Sequence, residues 1–142
     1  MDFSAWKRWR ICMVQSKNEV KILFDRDFLH HPFFDFLSAD EKKMTEDRIA
    51  QGKTIIAGVF KNGRHIFNAS FDIDHRDLLH CRDVGGNFGR NLDDLHRVAF
   101  IIAKGLKKDF ITVNATKRAV KKFCTRLGYE HVQDNEFQKV VN

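Results

Sequence analysis

A glycine-rich turn ahead of an amphipathic helix is the segment whose residue types and spacing most clearly suggest chemistry. It reads GGNFGRN over residues 85–91. The first N–H groups of a helix have no partner inside the helix, so they can bind an anion such as phosphate. Glycines such as Gly86 and Gly89 let a phosphate approach the backbone closely, and Arg90 could add a charge-assisted hydrogen bond. The same pattern is also typical of a plain turn.

The predicted helix that follows this turn carries one apolar stripe, because apolar residues recur at steps of three and four: Leu92, Leu95, Ala99, Ile102 and Leu106. Asn91 is the predicted N-cap, and Asp93 and Asp94 lie in the first turn, where the helix dipole favours negative charge. The sequence therefore predicts a strand, an anion-binding turn and a helix in succession.

The remaining patterns predict an α+β order of elements. Ser38 and Glu41 form a predicted capping box, and Asn62-Gly63 marks a hairpin turn. We expect strands over 9–13, 54–60, 65–73, 78–84, 110–113, 129–133 and 137–141. We expect helices from residue 18 to Pro32, over 38–51, from residue 92 to about 106, and over 117–127, the last closed by Gly128.

The charge is concentrated in one third of the chain. The 142 residues include 25 Lys and Arg and 19 Asp and Glu, a net charge of +6. Residues 97–126 carry nine basic residues and one acid, which makes that stretch +8 and the rest −2. Such a stretch favours a local anion site. A nucleic-acid-binding protein is the alternative, with Trp6 and Trp9 as exposed aromatics, but no known nucleic-acid-binding motif is present.

Length and residue usage restrict the class of protein. The chain fits one domain over residues 1–142. Three widely spaced cysteines (Cys12, Cys81 and Cys124) favour reduced thiols over a disulfide scaffold or a zinc site. The longest apolar runs, such as residues 98–103, are too short to cross a membrane, and we expect an intracellular, cytoplasmic protein. His30 and His31 lack a second clustered pair, so no metal is expected.

The C-terminal segment resembles a known family. Residues 111–132, ITVNATKRAVKKFCTRLGYEHV, resemble the C-terminal half of the GNAT superfamily of N-acetyltransferases, with Phe123, Leu127, Gly128 and Tyr129 in the motif positions. The resemblance implies a mixed central sheet with antiparallel strands 2 to 4 and helices on both faces. It also implies an acetyl-CoA-dependent N-acetyltransferase that acts on an amine of a small molecule or a protein.

The resemblance further implies where acetyl-CoA binds. Acetyl-CoA would lie in the opening between the strands predicted over 78–84 and 110–113, and its pantetheine would pair with the first of these strands near Leu79 to Val84. The turn would hold the pyrophosphate, although only Gly89 matches the family pattern there: Gly86 lacks the family's leading side chain and Asn91 adds one. Lys117 stands where the family often has Asn, and Asn114 lies three residues earlier. The candidate cofactor-binding residues are Val84, Gly86, Phe88, Gly89, Arg90, Asn91, Asn114, Lys117, Arg118 and Lys121.

The implied catalytic residues include one departure from the family. Cys124 occupies the position where many members have a Tyr that protonates the CoA thiolate. A thiol could give a proton to a thiolate, but a small buried core residue is an equal interpretation. His80 and Asp83 are the candidate bases for the acceptor ammonium, with Asp72 or Asp74 as alternatives.

Two other interpretations remain open at this level. The altered turn and the missing Tyr also fit a catalytically degenerate, phage-type member that keeps the fold as a scaffold for a protein partner, in a virion or in host cytoplasm. The expected partners are an acyl-CoA and an amine acceptor that enters across the aromatic residues Phe33 to Phe36, with a protein partner in the scaffold interpretation. Nucleic acid is the second alternative, and no membrane is expected.

Overall fold

A computed structural model describes residues 8–15 and 18–141. Eight strands occur in these ranges: β1 (Arg8–Gln15), β2 (Asn18–Asp25), β3 (Thr54–Lys61), β4 (Arg64–Asp72), β5 (Leu78–Gly86), β6 (Phe110–Asn114), β7 (Glu130–Gln133) and β8 (Glu136–Val140). The α-helices described there are α1 (Ala39–Ala50), α2 (Leu92–Gly105) and α3 (Arg118–Arg126), and two short 3₁₀ helices cover Arg26–His30 and Pro32–Phe34.

The strands form one mixed sheet in the order β1-β2-β3-β4-β5-β6-β8-β7. All neighbours are antiparallel except β5 and β6, which run parallel. The predicted run of three antiparallel central strands is confirmed as β3 to β5. Its first hairpin turns at Asn62 and Gly63, whose φ angles of 51° and 81° suit an Asn-Gly turn.

Helices cover both faces of the sheet, as predicted. On one face, α2 and α3 bury Val98, Ile102 and Cys124 against strand residues such as Phe71 and Ile111. On the other face, α1 and the 3₁₀ helices pack around Ile56 of β3; the cluster contains Leu29, Phe34, Leu37, Ile49 and Ile56. The central strands are therefore buried on both sides, which explains their apolar sequences.

The helix predicted from residue 18 is wrong, because that segment is strand β2. Val20, Ile22 and Phe24 alternate at a spacing of two and are almost fully buried, and Ile22 pairs with Val59 of β3. The same segment also fits a helix, because Val20, Leu23, Phe24 and Phe28 recur at steps of three and four. The strand forms because β2 pairs with β1 on one side and with β3 on the other. The rest of the segment forms the two 3₁₀ helices.

The other predicted elements are confirmed with small shifts at their ends. Ser38 and Glu41 form the capping box of α1, each side chain accepting from the other's backbone N–H at 3.1 Å. Strand β5 is longer than predicted, because Gly85 and Gly86 pair with Asn68 and Phe67 of β4 rather than lying in a loop. Within the described ranges, no helix is long and apolar enough to cross a membrane. The assignment of residues 1–142 to one domain stays a prediction.

Candidate ligand-binding cleft

Strands β5 and β6 separate halfway along their length, and this separation creates the site. They pair in parallel from Leu78 with Phe110 to Cys81 with Val113. Beyond that point β5 continues only beside β4, while Asn114 at the end of β6 pairs with β8. A bulge at the next residue, Arg82, shifts the β4–β5 register at the same level. Bulges often lie beside functional sites because they redirect side chains.

The gap between the two strands opens into a cleft of about 190 Å³ on the face covered by α2 and α3. Since about 10–15 Å³ of such a cavity volume holds one water molecule, the cleft has room for a slender chain of atoms. Its walls are mainly apolar and include Val84, Leu95, Val113, Val120 and Phe123. A narrow apolar channel between two splayed strands suits an extended, mostly aliphatic ligand arm.

The predicted anion-binding turn leads from β5 into α2. Asn91 is the N-cap of α2, but its side chain makes no capping hydrogen bond to the helix. Instead its amide Nδ2 donates to the carbonyl of Asn87 at 2.7 Å and closes the turn. The Asn91 side chain thus has a role within the turn, and it leaves the first N–H groups of α2 without a side-chain cap.

The three glycines of this segment have different roles. Gly86 has a φ of 106°, a conformation that suits glycine, and Gly85 lies against the backbone carbonyl of Phe33. Gly89 has neither constraint, because its φ is outside the left-handed region and a Cβ there would meet no atom within 4 Å. Open space at Gly89, beside an uncapped helix N-terminus, fits the close approach of a phosphate.

The predicted cofactor-binding residues divide into three groups in space. Val84, Phe88, Asn114 and Lys117 line the cleft. Lys117 is the N-cap of α3, and its Nζ lies 5.6 Å from the centroid of the Phe88 ring, so the N-termini of α2 and α3 face the same opening. Gly86 at the end of β5 and Gly89, Arg90 and Asn91 in the turn lie beside it, whereas Arg118 and Lys121 lie on α3 outside the cleft lining.

Part of the predicted basic surface has another use. Lys108 is buried, and its ammonium donates to the carbonyls of Ile73 at 3.1 Å and Arg76 at 3.4 Å and also to that of His75. It therefore holds the loop between β4 and β5. Arg97 lies 3.8 Å from Asp94, which also pairs with Lys61 at 3.0 Å. The +8 stretch is thus not one continuous anion site.

The predicted acid Cys124 lies in the cleft wall. It is buried on the inner side of α3, and burial raises the pKa of its thiol. Cys81 of β5 lines the same cleft, and burial raises its pKa to about 12. Both thiols therefore stay protonated at neutral pH.

The predicted bases His80 and Asp83 lie on the opposite face of β5. In the register of β4 and β5, His80 lies opposite Asp72, and Asp72 contacts Arg48 of α1. The His80 Nδ1 lies 2.8 Å from the Thr112 hydroxyl oxygen. Asp83 pairs with Ser70 beyond the point where β5 and β6 separate. The structure does not bring these bases into the cleft with Cys124: both lie on the α1 side of the sheet, and only Asp83 lies beyond the point where β5 and β6 separate.

Burial shifts the pKa values of both bases. The pKa of His80 is lowered mainly by burial, so its imidazole is neutral and able to accept a proton. The pKa of Asp83 is raised, first by burial and also by Glu41 and Asp72, while Arg82 opposes the shift. A carboxylate with a raised pKa is a stronger base than an ordinary surface aspartate.

The alternative bases Asp72 and Asp74 are occupied by a network that ties α1 to the sheet. Arg48 donates to Asp74 at 2.7 Å and to Asp72 at 3.3 Å, and the Thr54 hydroxyl donates to Asp72 at 2.7 Å. Arg82 contacts the other Asp72 oxygen at 3.4 Å. These contacts favour a structural role for both aspartates and leave Asp83, which pairs with Arg82 at 3.7 Å, as the less constrained carboxylate.

No protein-family model matches the chain, and no curated protein sequence matches it. Solved structures do. A probable acetyltransferase from Staphylococcus epidermidis is 13% identical with a TM-score of 0.62, covering 88% of this chain and 99% of its own. A Salmonella typhimurium acetyl transferase that modifies the N-terminal serine of ribosomal protein L7/L12 is 9% identical with a TM-score of 0.61, covering 93% and 100%. The chain has the GNAT acetyltransferase fold.

A third match is an aminoglycoside 6'-N-acetyltransferase complexed with coenzyme A, 9% identical with a TM-score of 0.59, which covers 82% of this chain and 88% of its own. At these identities the comparison establishes the fold alone. The resemblance to the GNAT superfamily stated for residues 111–132 is therefore confirmed at the level of the fold, and the site residues within that fold stay predictions.

Sequence analysis missed His96 of α2 as a residue of the cleft, and it named Tyr129 only as a motif residue without placing it there. The Tyr129 hydroxyl lies 2.9 Å from the His96 Nδ1, and the two rings meet edge to face with centroids 5.6 Å apart. A signal was available, because His96 lies one turn after Leu92 on the apolar stripe of α2, where a polar residue is unexpected. Tyr129 is also the single tyrosine of the chain.

No group of three or more His, Cys, Asp or Glu side chains that could hold a metal ion occurs in the described part of the chain. His31 instead accepts a hydrogen bond from the backbone N–H of Phe33 at 3.1 Å, and His30 lies 2.9 Å from Glu46. Both histidines therefore contribute to the packing and surface contacts of the 3₁₀ helices.

Proposed function

We propose that this protein is an acetyl-CoA-dependent N-acetyltransferase that transfers an acetyl group to an amine. The observation that carries the proposal is the separation of β5 from β6, which opens an apolar cleft directly beside the uncapped N-terminus of α2. An apolar channel with an anion site at its mouth matches a ligand with an aliphatic arm and a pyrophosphate.

The N–H groups at the start of α2 and the open backbone at Gly89 would hold the pyrophosphate. Lys117 lies across the opening, within 5.6 Å of the Phe88 ring, where its ammonium can add a charge-assisted contact. Val84 and Val113 would border the pantetheine arm. Arg118 and Lys121 lie farther along α3 and would reach only the outer, 3'-phosphate end of the donor.

The acceptor amine would approach from the α1 side of the sheet. Asp83 lies there beyond the point where β5 and β6 separate, and its raised pKa suits it to take a proton from an ammonium group. His80 is the second candidate base. Phe36, which is 59% exposed, and Phe33 lie against β5 at Gly85 and would form an apolar wall for the acceptor.

The direct transfer would need few protein groups. Acetyl-CoA supplies the activated acetyl group, Asp83 removes the proton that blocks the amine lone pair, and a backbone N–H of β5 stabilises the oxyanion. Cys124 lies in the wall of the donor cleft, on the side where the thiol would leave.

Thermal unfolding with acetyl-CoA, CoA and dephospho-CoA tests donor binding. We expect saturating acetyl-CoA to raise the Tm of the wild type, because a ligand that binds only the folded state stabilises it. Gly89→Asp and Lys117→Ala should reduce the shift, the first by filling the phosphate space with a negative charge. Lys122→Ala is the matched control, since Lys122 is an exposed basic residue of α3 outside the cleft lining.

Turnover is measured by mass spectrometry, which detects the acetylated products of a panel of amines. The panel includes small polyamines and peptides that begin with serine. Asp83→Asn should lower kcat while leaving the acetyl-CoA-induced Tm shift unchanged. If saturating acetyl-CoA leaves the wild-type Tm unchanged, the enzyme proposal fails. Pull-down of a stable protein partner would then support the scaffold alternative. Binding of nucleic acid that weakens steeply with salt would support the nucleic-acid-binding alternative.

A further inference from the structure

The donor cleft contains a hydrogen-bonded pair of polar side chains that the proposed chemistry has not yet used. Tyr129 is buried, and its hydroxyl lies 2.9 Å from the His96 Nδ1. Both side chains line the cleft, together with Cys124 at the position where the family resemblance expects an acid. Packing alone does not require this pair, because a phenylalanine at 129 would fill the same space without a buried hydroxyl that needs a partner.

The backbone fixes Tyr129 next to the expected acid position. The Tyr129 N–H donates to the Cys124 carbonyl at 2.9 Å, directly after α3 ends. Gly128, with a φ of 85°, makes the turn that brings the chain back towards the sheet. The phenol is thus attached to the same end of α3 as Cys124 and enters the same cleft.

We propose that the Tyr129 hydroxyl, oriented by His96, donates a hydrogen bond to the sulfur of the departing CoA thiolate. In this proposal the imidazole proton is assigned to the His96 Nδ1, so that this N–H donates to the Tyr129 oxygen and the phenolic proton is free to point into the cleft. This inference rests on the proposed function, and it transfers to Tyr129 the leaving-group role that sequence analysis assigned to Cys124.

The step is balanced without any other reactant. The amine nitrogen has formed its bond to the acetyl carbon, the C–S bond breaks, and its electron pair goes to sulfur. Tyr129 stabilises that negative charge through its O–H and remains neutral, and the thiolate takes its proton from solvent on release. Burial raises the pKa of Tyr129, which keeps the phenol protonated through the neutral range. Burial also lowers the pKa of His96, which keeps the imidazole neutral.

The first test compares kinetics with binding. Tyr129→Phe should lower kcat about 10- to 100-fold, the value of one hydrogen bond to a charged group, and leave the Kd for acetyl-CoA within about twofold of wild type. His96→Leu should lower kcat in the same way, whereas His96→Asn, which keeps a polar group near the Nδ1 position, should recover part of it. His75→Ala is the matched control, because His75 is exposed in the β4–β5 loop.

The second test uses an NMR signal of Tyr129 whose response to the sulfur of CoA a purely structural role would not explain. Because the chain has one tyrosine, protein labelled with ¹³C at the tyrosine Cζ gives a single NMR signal for residue 129. CoA should shift this signal, and desulfo-CoA, which lacks the sulfur, should shift it much less. Cys124→Ala should retain both the CoA response and most of kcat.

The outcomes separate this inference from the proposed function. If the wild type binds neither CoA nor desulfo-CoA, the proposed function fails and the inference fails with it. If both ligands bind and shift the Tyr129 signal equally, or if Tyr129→Phe keeps the full kcat of an active wild type, the inference alone is overturned. Loss of kcat in Cys124→Ala with full activity in Tyr129→Phe returns the role to the thiol.

Discussion

Replacing Gly85 by alanine should destabilise the protein strongly through a single methyl group. A Cβ on Gly85 would lie 1.8 Å from the carbonyl oxygen of Phe33 and 2.8 Å from a ring carbon of Phe36. Ordinary van der Waals contact begins near 3.4 Å. The obstructing atom belongs to backbone rather than to a flexible side chain, so the 3₁₀ segment that carries Phe33 would have to move by about 1.5 Å relative to β5.

The expected cost follows from this geometry. Overpacking a well-packed site costs typically about 1–3 kcal/mol, and backbone as the obstacle places Gly85→Ala at the upper end of that range. For a chain of this size about 3 kcal/mol corresponds to a fall in Tm of roughly 6–12 °C. Gly89→Ala is the matched control, because its Cβ would meet nothing within 4 Å, and we expect a change within about 0.5 kcal/mol.

Urea unfolding followed by circular dichroism measures both variants, and the binding of CoA adds a second comparison. Gly85→Ala should lose stability and also raise the KM for the acceptor, since the Phe33–Phe36 wall is displaced. Gly89→Ala should keep its stability but weaken CoA binding, since the methyl group enters the phosphate space. Equal stability of Gly85→Ala and wild type would refute the close packing of the 3₁₀ segment on β5.

Three further outcomes are expected. Lys108→Met should lower the unfolding free energy by about 1–3 kcal/mol in urea titrations, because it removes the cation that holds the carbonyls of the β4–β5 loop; an unchanged midpoint would show that water replaces the ammonium. Asp93→Asn should raise CoA affinity about two- to fivefold in calorimetry while lowering stability slightly, because it removes negative charge from the first turn of α2; a weaker affinity would contradict a phosphate at this turn. The unfolding free energy should fall as pH drops below about 6.5, because histidines whose folded-state pKa values are lowered bind protons more readily when unfolded; urea midpoints at pH 7.5 and 5.5 test this, and a flat profile would contradict the burial of His65, His80 and His96.

The sequence predicted the central fold well where local signals and packing agree. The Asn62-Gly63 turn, the capping box at Ser38 and the apolar stripe of α2 each specify an element through interactions within a few residues. These signals determine β3, β4, α1 and α2 without reference to the rest of the chain.

The prediction of a first helix from residue 18 was wrong because the local pattern there fits two kinds of element. In residues 18–28 the apolar residues fit a spacing of two as well as steps of three and four, and the choice depends on whether β1 and β3 lie on either side. That information is tertiary and is absent from the local pattern. Lys108 shows the same limit. Its place in the sequence grouped it with the basic surface, but contacts with the β4–β5 loop bury it.

The site was only partly predictable, because its residues meet through the sheet. Phe88 and Lys117 were identified by their places next to helix starts, and the structure brings them to one opening. The pair of His96 and Tyr129 joins positions 33 residues apart, and only the packing of α2 against the end of α3 brings them together. A lone polar residue on an apolar stripe signals a partner but does not identify it.

Charge at the two helix N-termini decides which of them carries more of a bound phosphate. The first turn of α2 holds Asp93 and Asp94; Asp94 is offset by Lys61, whereas Asp93 is exposed and opposes an anion. The first turn of α3 has no acidic residue, and Lys117 at its start reaches towards the turn before α2. The α2 backbone would therefore supply the geometry of phosphate binding, and Lys117 of α3 would supply the charge that offsets Asp93.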